Sequence, residues 1–487
     1  MNTYIKTISL IAIVFFTSSC SKILDVKPVS SITSESYWNT ENDVTGYLTG
    51  IYYDMRASVN TTFYLEDRGD TFSPGLEAGL SSAWQQNLTS SNAPNWIGYY
   101  NLIHHCNLVI KYGNIISFTN GNNKNRALAE AHFIRAFTYF WLLRSWGDVP
   151  IVLEPTESDQ ISLPARAPQT QVMDQILNDV NLAISLFPES GFVNKSRASK
   201  PAAYALKTDA LLWKAKVLAG GDAALNEAVI TADQAMAGVS LEPGFPNIFS
   251  TKNGQEVIFS LYFKRDDMFD QNGKKIDKSD QYGSTLKPRD IFVSNATNVN
   301  DIAFSRGGAR SAYSPSQKFR DLFVNADVRK AASYIIATAA NGSTIGIFDN
   351  KFRGTIYQDD DRYWENDIIV YRLAEIILFK AEALAALNRV PEAITELNKV
   401  RNRAKIGNYP GVETKLAVET EILDERFREL YLELKRWPDL IRFHKAGTIN
   451  IYNEVPNLGA KGNMPLFFPI PRTQIDLNPN LTQTLGY

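Results

Sequence analysis

Two strongly apolar helical runs joined by a very short link constrain this chain more than any other feature. In residues 370–387, Val370, Leu373, Ala374, Ile377, Ala381 and Leu384 recur at spacings of three and four, one face of a helix. Only Asn388-Arg389-Val390 follows before Pro391 opens a second run, Ala393-Ile394-Leu397-Val400. Proline suits a first helical turn, where its missing N–H breaks no intrahelical bond. So short a link folds the two helices back antiparallel. Residues 202–219, with Tyr204, Leu206, Leu211, Leu212, Ala215 and Leu218, turn the same way at Gly220-Gly221 into a run ending near Met236.

Two further stretches carry the same periodicity. Residues 125–146 place Ala131, Ile134, Phe137, Phe140 and Trp141 on one face, and 419–436 do so with Leu423, Phe427, Leu430, Tyr431 and Leu434. Hairpins of about 34 residues with small and large residues alternating have the pattern of tetratricopeptide repeats. The remainder reads differently. Segments near 57–95 and 238–366 are rich in Gly, Asn, Ser and Asp with aromatics among them, and Val257 to Tyr262 is a short strand candidate. The expected fold is mainly α, a tetratricopeptide-like helical-repeat scaffold with long loop-rich, few-stranded insertions. Loops that long in a compact domain usually carry function.

The N-terminus reads as processing signal rather than fold. Lys6 precedes an apolar run, Ile8 to Phe16, too short to span a bilayer. Small residues Thr17 to Ser19 lead into Cys20, the pattern of a lipoprotein signal peptide over 1–19 with Cys20 as the lipidated residue. The alternative is ordinary secretion. Residues 20–487 are then expected to form one domain, tethered at a bacterial surface. With Cys20 lipidated, the second cysteine, Cys106, has no disulfide partner and suits a small buried site. At the other end, Pro469-Ile470-Pro471 reads as a rigid strap over a finished fold. Lys and Arg number 50 against 52 Asp and Glu, a net charge of -2. So small a net charge gives no reason to expect nucleic acid as a partner, which usually needs a basic face.

No catalytic signature stands out. A G-x-S-x-G elbow, a P-loop and a dinucleotide fingerprint are all missing. The four histidines, His104, His105, His132 and His444, have no HExxH or CxxC company, so a metal site through them is not expected. Asp266-Asp267 and Asp359-Asp360-Asp361 could be glycosidase acids, yet adjacent acids in polar loops read better as solvated turns. The second group could at most hold a structural calcium ion; no cofactor is expected. Glu425, Arg426, Glu429, Glu433 and Arg436 read as ion pairs along one helix.

The ordered blocks as a whole resemble the SusD/RagB family of nutrient-binding outer-membrane lipoproteins. Those blocks are Trp38 with Gly46, Gly50 and Tyr52, then Trp96…Tyr100…Ile103…Asn107, then Ala129-Glu130-Ala131…Arg135-Ala136…Tyr139…Trp146-Gly147-Asp148. Arg372…Glu375…Glu382, Leu397-Asn398…Arg401…Arg403 and Glu425-Arg426…Arg436-Trp437…Arg442 follow, before the proline strap. The resemblance implies a non-catalytic glycan-binding lipoprotein. It also implies a partner, a SusC-like TonB-dependent outer-membrane barrel, to which captured oligosaccharide is delivered. A peptide-capturing RagB-like protein is the alternative reading, a glycosidase a remoter one.

Sugar rings stack their C–H faces on flat aromatics while their hydroxyls need polar partners. The loop over 57–95 offers Asp67, Arg68, Trp84 and Asn87, and a Trp three residues before an Asn resembles a starch-binding arrangement of the family. The other reading of Trp84 is a plug that fixes the loop to the core. Tyr282, Arg289, Phe292, Tyr313 and Trp364 are candidates for a second wall.

Overall fold

A computed structural model describes residues 37–158, 162–268, 282, 286–305, 310–357, 362–462 and 464–487. Cys20 and Asp359–Asp361 lie outside the described residues. The architecture is mainly α. Ten long helices carry it: α1 (Glu41–Val59), α2 (Ile97–Ile115), α3 (Gly121–Trp146), α4 (Gln169–Leu186), α5 (Lys200–Val217), α6 (Gly221–Ala235), α7 (Leu373–Ala386), α8 (Val390–Arg403), α9 (Lys415–Leu430) and α10 (Arg436–Lys445). From α1 to α8 each helix packs on the next, and α9 and α10 close against α7 and α5.

Local chemistry sets the helix ends. Thr40 and Asp43 cap α1 reciprocally, each side chain bonding the other's backbone N–H. Asn120 caps α3, and Gly147, at φ 76°, ends it in a conformation that favours glycine. Ser199 caps α5 with Pro201 in its first turn. The tight link between α7 and α8 passes through Asn388 at φ 62°, a value asparagine tolerates. Within α3 every side chain from Ala127 to Trp146 is buried, so this helix forms the centre of the scaffold.

Among the described residues the strands form four antiparallel pairs, each of two strands. They are β1 (Phe72–Pro74) with β3 (Tyr313–Pro315), β2 (Val257–Leu261) with β8 (Ile368–Arg372), β4 (Tyr334–Thr338) with β5 (Thr344–Asp349), and β6 (Thr355–Ile356) with β7 (Arg362–Tyr363). Two helical expectations are corrected here. The run starting at Val370 begins as strand: the β-branched Ile368-Ile369-Val370 pairs with β2, and α7 opens only at Leu373. The run over 419–436 breaks after Leu430, where Leu432 and Leu434 adopt φ of 60° and 62° before α10. α4 carries a clear apolar face that the sequence reading passed over.

The charges of α9 and α10 are ion pairs, but between elements rather than along one helix face. Arg372 reaches Glu256 at 2.7 Å, Glu429 at 2.6 Å and Glu433 at 2.8 Å. Arg329 reaches Glu425 at 2.7 Å, Arg426 reaches Asp439 at 2.8 Å, and Arg436 reaches Asp70 at 2.6 Å. All of these side chains are buried. Of the group singled out in sequence, only Glu425 keeps a neighbour on its own helix, Arg428. The proline strap lies as expected: Phe468 and Ile470 are fully buried, and the Phe468 N–H donates to the Ser145 carbonyl at 2.8 Å.

Candidate functional site

The 57–95 loop is built from the inside outward. Asp67 is buried, and its Oδ2 accepts from Ser81 Oγ at 2.7 Å and from the Tyr313 hydroxyl at 3.1 Å. Burial pushes the Asp67 carboxyl up from its usual range, with these donors pulling the other way. The Tyr313 oxygen in turn accepts from the Ser81 N–H at 2.9 Å, and its ring lies on Phe72, 4.8 Å between centroids. Ser81 Oγ then accepts from the Trp84 N–H at 3.1 Å. A serine accepting from the backbone three residues on fixes the loop locally.

Trp84 stands on that base. Its indole N–H donates to the Phe72 carbonyl at 3.0 Å, and Asn457 donates to its own carbonyl at 3.1 Å. The side chain is half-buried against the main core, and Asn87 beyond it is exposed. Plug and exposed plate are therefore one residue: hydrogen bonds fix its orientation and part of it faces outward.

Arg68 is corrected from ligand contact to clamp. Its guanidinium is fully buried and donates to the Leu466 carbonyl at 2.8 Å, the Pro465 carbonyl at 2.7 Å and Gln86 Oε1 at 3.1 Å. It lies 4.6 Å from the Trp437 ring and 5.4 Å from that of Phe468. With no donor exposed, it ties the loop to the C-terminal strap. Asp67 and Tyr313 are likewise buried supports rather than contacts.

The second wall does not assemble as expected. Tyr282 is buried at φ 57° against Phe352, and Trp364 is buried with Lys287 Nζ 4.5 Å from its ring, so neither can stack on a ligand. Phe292 is half-buried on a satellite cluster with Val293 and Phe348. Arg289 stays partly exposed and pairs with Glu77 at 2.7 Å. Glu77 continues from β1, and both its N–H and that of Leu76 donate to the Ser311 carbonyl. The β1–β3 ribbon thus has Trp84 bonded at its Phe72 end, and the Arg289–Glu77 pair lies where the chain continues past its Pro74 end. Ser81 and Gln86 were missed in sequence; a serine three residues before a loop tryptophan was the available signal.

Among the described residues no group of three or more His, Cys, Asp or Glu could hold a metal ion, and no helix is long and apolar enough to cross a membrane. His132 is instead held by Asp179 at 2.8 Å, which also takes Arg135. His105 meets the Tyr47 hydroxyl at 2.6 Å.

Two family models match the chain in series. One, described as starch-binding associating with outer membrane, covers residues 22–208; the other, described as the SusD family, covers 255–487. SusD-like protein P2 of Formosa agariphila is 25% identical over 97% of this chain and 98% of its own. The starch-binding protein SusD of Bacteroides thetaiotaomicron is 32% identical, over 31% of this chain and 27% of its own. A solved structure from B. fragilis, NanU, superposes with a TM-score of 0.81 at 28% identity, covering 95% of this chain and all of that one.

Proposed function

This chain belongs to the SusD-like family, and from that premise we propose that it binds oligosaccharide at the cell surface without cleaving it. Trp84 is the stacking plate in this reading and Asn87 a hydroxyl partner, with Arg289 and Glu77 further along the ribbon. The observation that carries it is the hydrogen-bonded, half-exposed setting of Trp84: a preorganised aromatic gives up little freedom when a sugar docks. The family description and the starch-binding relative support carbohydrate as the ligand class. Outer-membrane association comes with the family description. Anchoring through Cys20 and delivery to a SusC-like TonB-dependent barrel complete the proposal.

Isothermal titration of the wild type and Trp84→Ala against a panel of oligosaccharides tests it. The substitution is expected to weaken binding by about 1–3 kcal/mol, the loss of one aromatic anchor. Equal affinities for the two proteins would remove Trp84 from the site. Release of reducing sugar from the panel would overturn the non-catalytic reading.

A further inference from the structure

Along the outer side of α1 runs a trough that shares no lining residue with the Trp84 face. Two cavities, of about 560 and about 510 Å³, meet in it at Thr49 and at the adjacent Ser196 and Arg197. The lining on α1 extends from Asn42 to Arg56, about 21 Å of helix at 1.5 Å per residue.

The Arg56 end has an unusual composition for a surface hollow. Tyr53 and Tyr262, from α1 and the segment after β2, line it and remain 45% and 41% exposed. Each ring has a cation beside it, Arg56 at 5.0 Å from Tyr53 and Lys252 at 4.8 Å from Tyr262. Those cations are themselves held. Arg56 donates to the Tyr262 carbonyl at 2.8 Å and to Asp267 at 2.9 Å, and Lys252 donates to the Phe263 carbonyl at 2.7 Å. Each ring thus lies against an anchored cation while much of its surface stays open to solvent.

Polar groups surround the rings. The Asp266 side chain is 76% exposed, and the Ser196 hydroxyl is buried with no hydrogen-bond partner among the described residues. An unpaired buried hydroxyl carries a cost that a ligand hydroxyl can relieve. Arg56 and Asp267 cancel one another, which suits a neutral ligand. Flat apolar plates, an exposed carboxylate paired with Lys264 at 3.3 Å and hydroxyl groups in an elongated hollow match a chain of sugar rings better than a protein helix, which would need an aliphatic groove.

We propose that the Tyr53–Tyr262 trough is a second binding site, for a neutral oligosaccharide, independent of the Trp84 face. It rests on the proposed function only for the class of ligand.

A printed array of neutral oligosaccharides, read with the full chain, tests this on wild type, Trp84→Ala and the double variant Tyr53→Ala/Tyr262→Ala, with melting temperatures confirming that each folds. Some glycans are expected to stay bound to Trp84→Ala, and the tyrosine double variant is expected to bind those at least tenfold more weakly by titration. The double Phe variant, which keeps the plates, is expected to bind them within a factor of about three. If the double Ala variant binds every glycan as wild type does, the trough is not a saccharide site, and the Trp84 reading stands or falls on its own variant. If wild type binds nothing on the array, both readings fail.

Discussion

Glu66 shows how one buried group can set the pH response of the whole fold. It lies beneath the candidate loop, accepting from Thr71 at 2.7 Å and from the Lys435 N–H at 3.2 Å. Burial outweighs these donors and pushes its carboxyl up to about 7 from 4.5. Below pH 4.5 the carboxyl is protonated in both folded and unfolded chains, and no cost arises. Above pH 7 it is ionised in both, and only the folded chain holds that charge away from water. Stability from this group is thus fully present at low pH and lost as pH rises from about 4.5 to about 7, by about 3 kcal/mol. Denaturant titrations at pH 5 and pH 8 should show Glu66→Gln losing less stability across that interval than wild type does; equal losses would place the ionised carboxylate elsewhere. Asp67, Arg68, Trp84 and Asn87 were all chosen because their types suit sugar chemistry. That Arg68 and Asp67 are buried was not legible, because a sequence gives no sign whether a polar loop side chain points outward or in to the strap.

At the scale of elements, the β1–β3 ribbon is the part whose geometry the setting of Trp84 depends on. Gly75 continues β1 beside the Ser311 carbonyl, and a Cβ there would lie 2.1 Å from that oxygen. No side chain yields there, since the obstacle is backbone. Gly75→Ala should therefore push the strands apart, lowering stability by about 2 kcal/mol or more and weakening saccharide binding at Trp84. A thermal melt and a titration of the same sample check both, and wild-type values in each would show that the ribbon can shift freely. Periodicity revealed α3, α5, α7 and α8 because their buried faces repeat every three or four residues. It misjudged 370–372, where a β-branched run from Ile368 to Val370 fits either a buried strand or the start of a helix, and pairing with β2 decided the matter. It also ran α9 into α10, since the chain between them takes two leucines at positive φ while the residues beside those leucines pair with distant partners that no local pattern records. Among those partners are the pairs from Lys351 to Glu433 at 2.6 Å and from Lys435 to Glu375 at 3.1 Å.

Across the whole molecule, residues far apart in sequence complete one another. Phe468 from the strap packs against Phe63, Tyr64 and Trp146, with centroids 5.7, 5.9 and 6.1 Å away, and is fully buried. Phe468→Ala should cost about 3–5 kcal/mol through the cavity it leaves. A loss under 1 kcal/mol in a denaturant titration would mean that the strap merely lies over a scaffold already complete. Breaking the buried charge lattice should cost a similar amount: Arg372→Met leaves Glu256, Glu429 and Glu433 facing one another without their shared cation.

The Arg68 clamp also dictates an order of events during synthesis. Its carbonyl partner on Leu466 lies 398 residues further along the chain. At roughly 5–20 residues per second a ribosome needs about 20–80 s to cover that span. Until then the guanidinium has Gln86 but lacks its two strap carbonyls, and the loop bearing Trp84 is not tied to the C-terminal strap. The last contacts of this loop therefore form only when the chain is nearly finished, and a product released a few dozen codons short would lack both carbonyls that clamp Arg68.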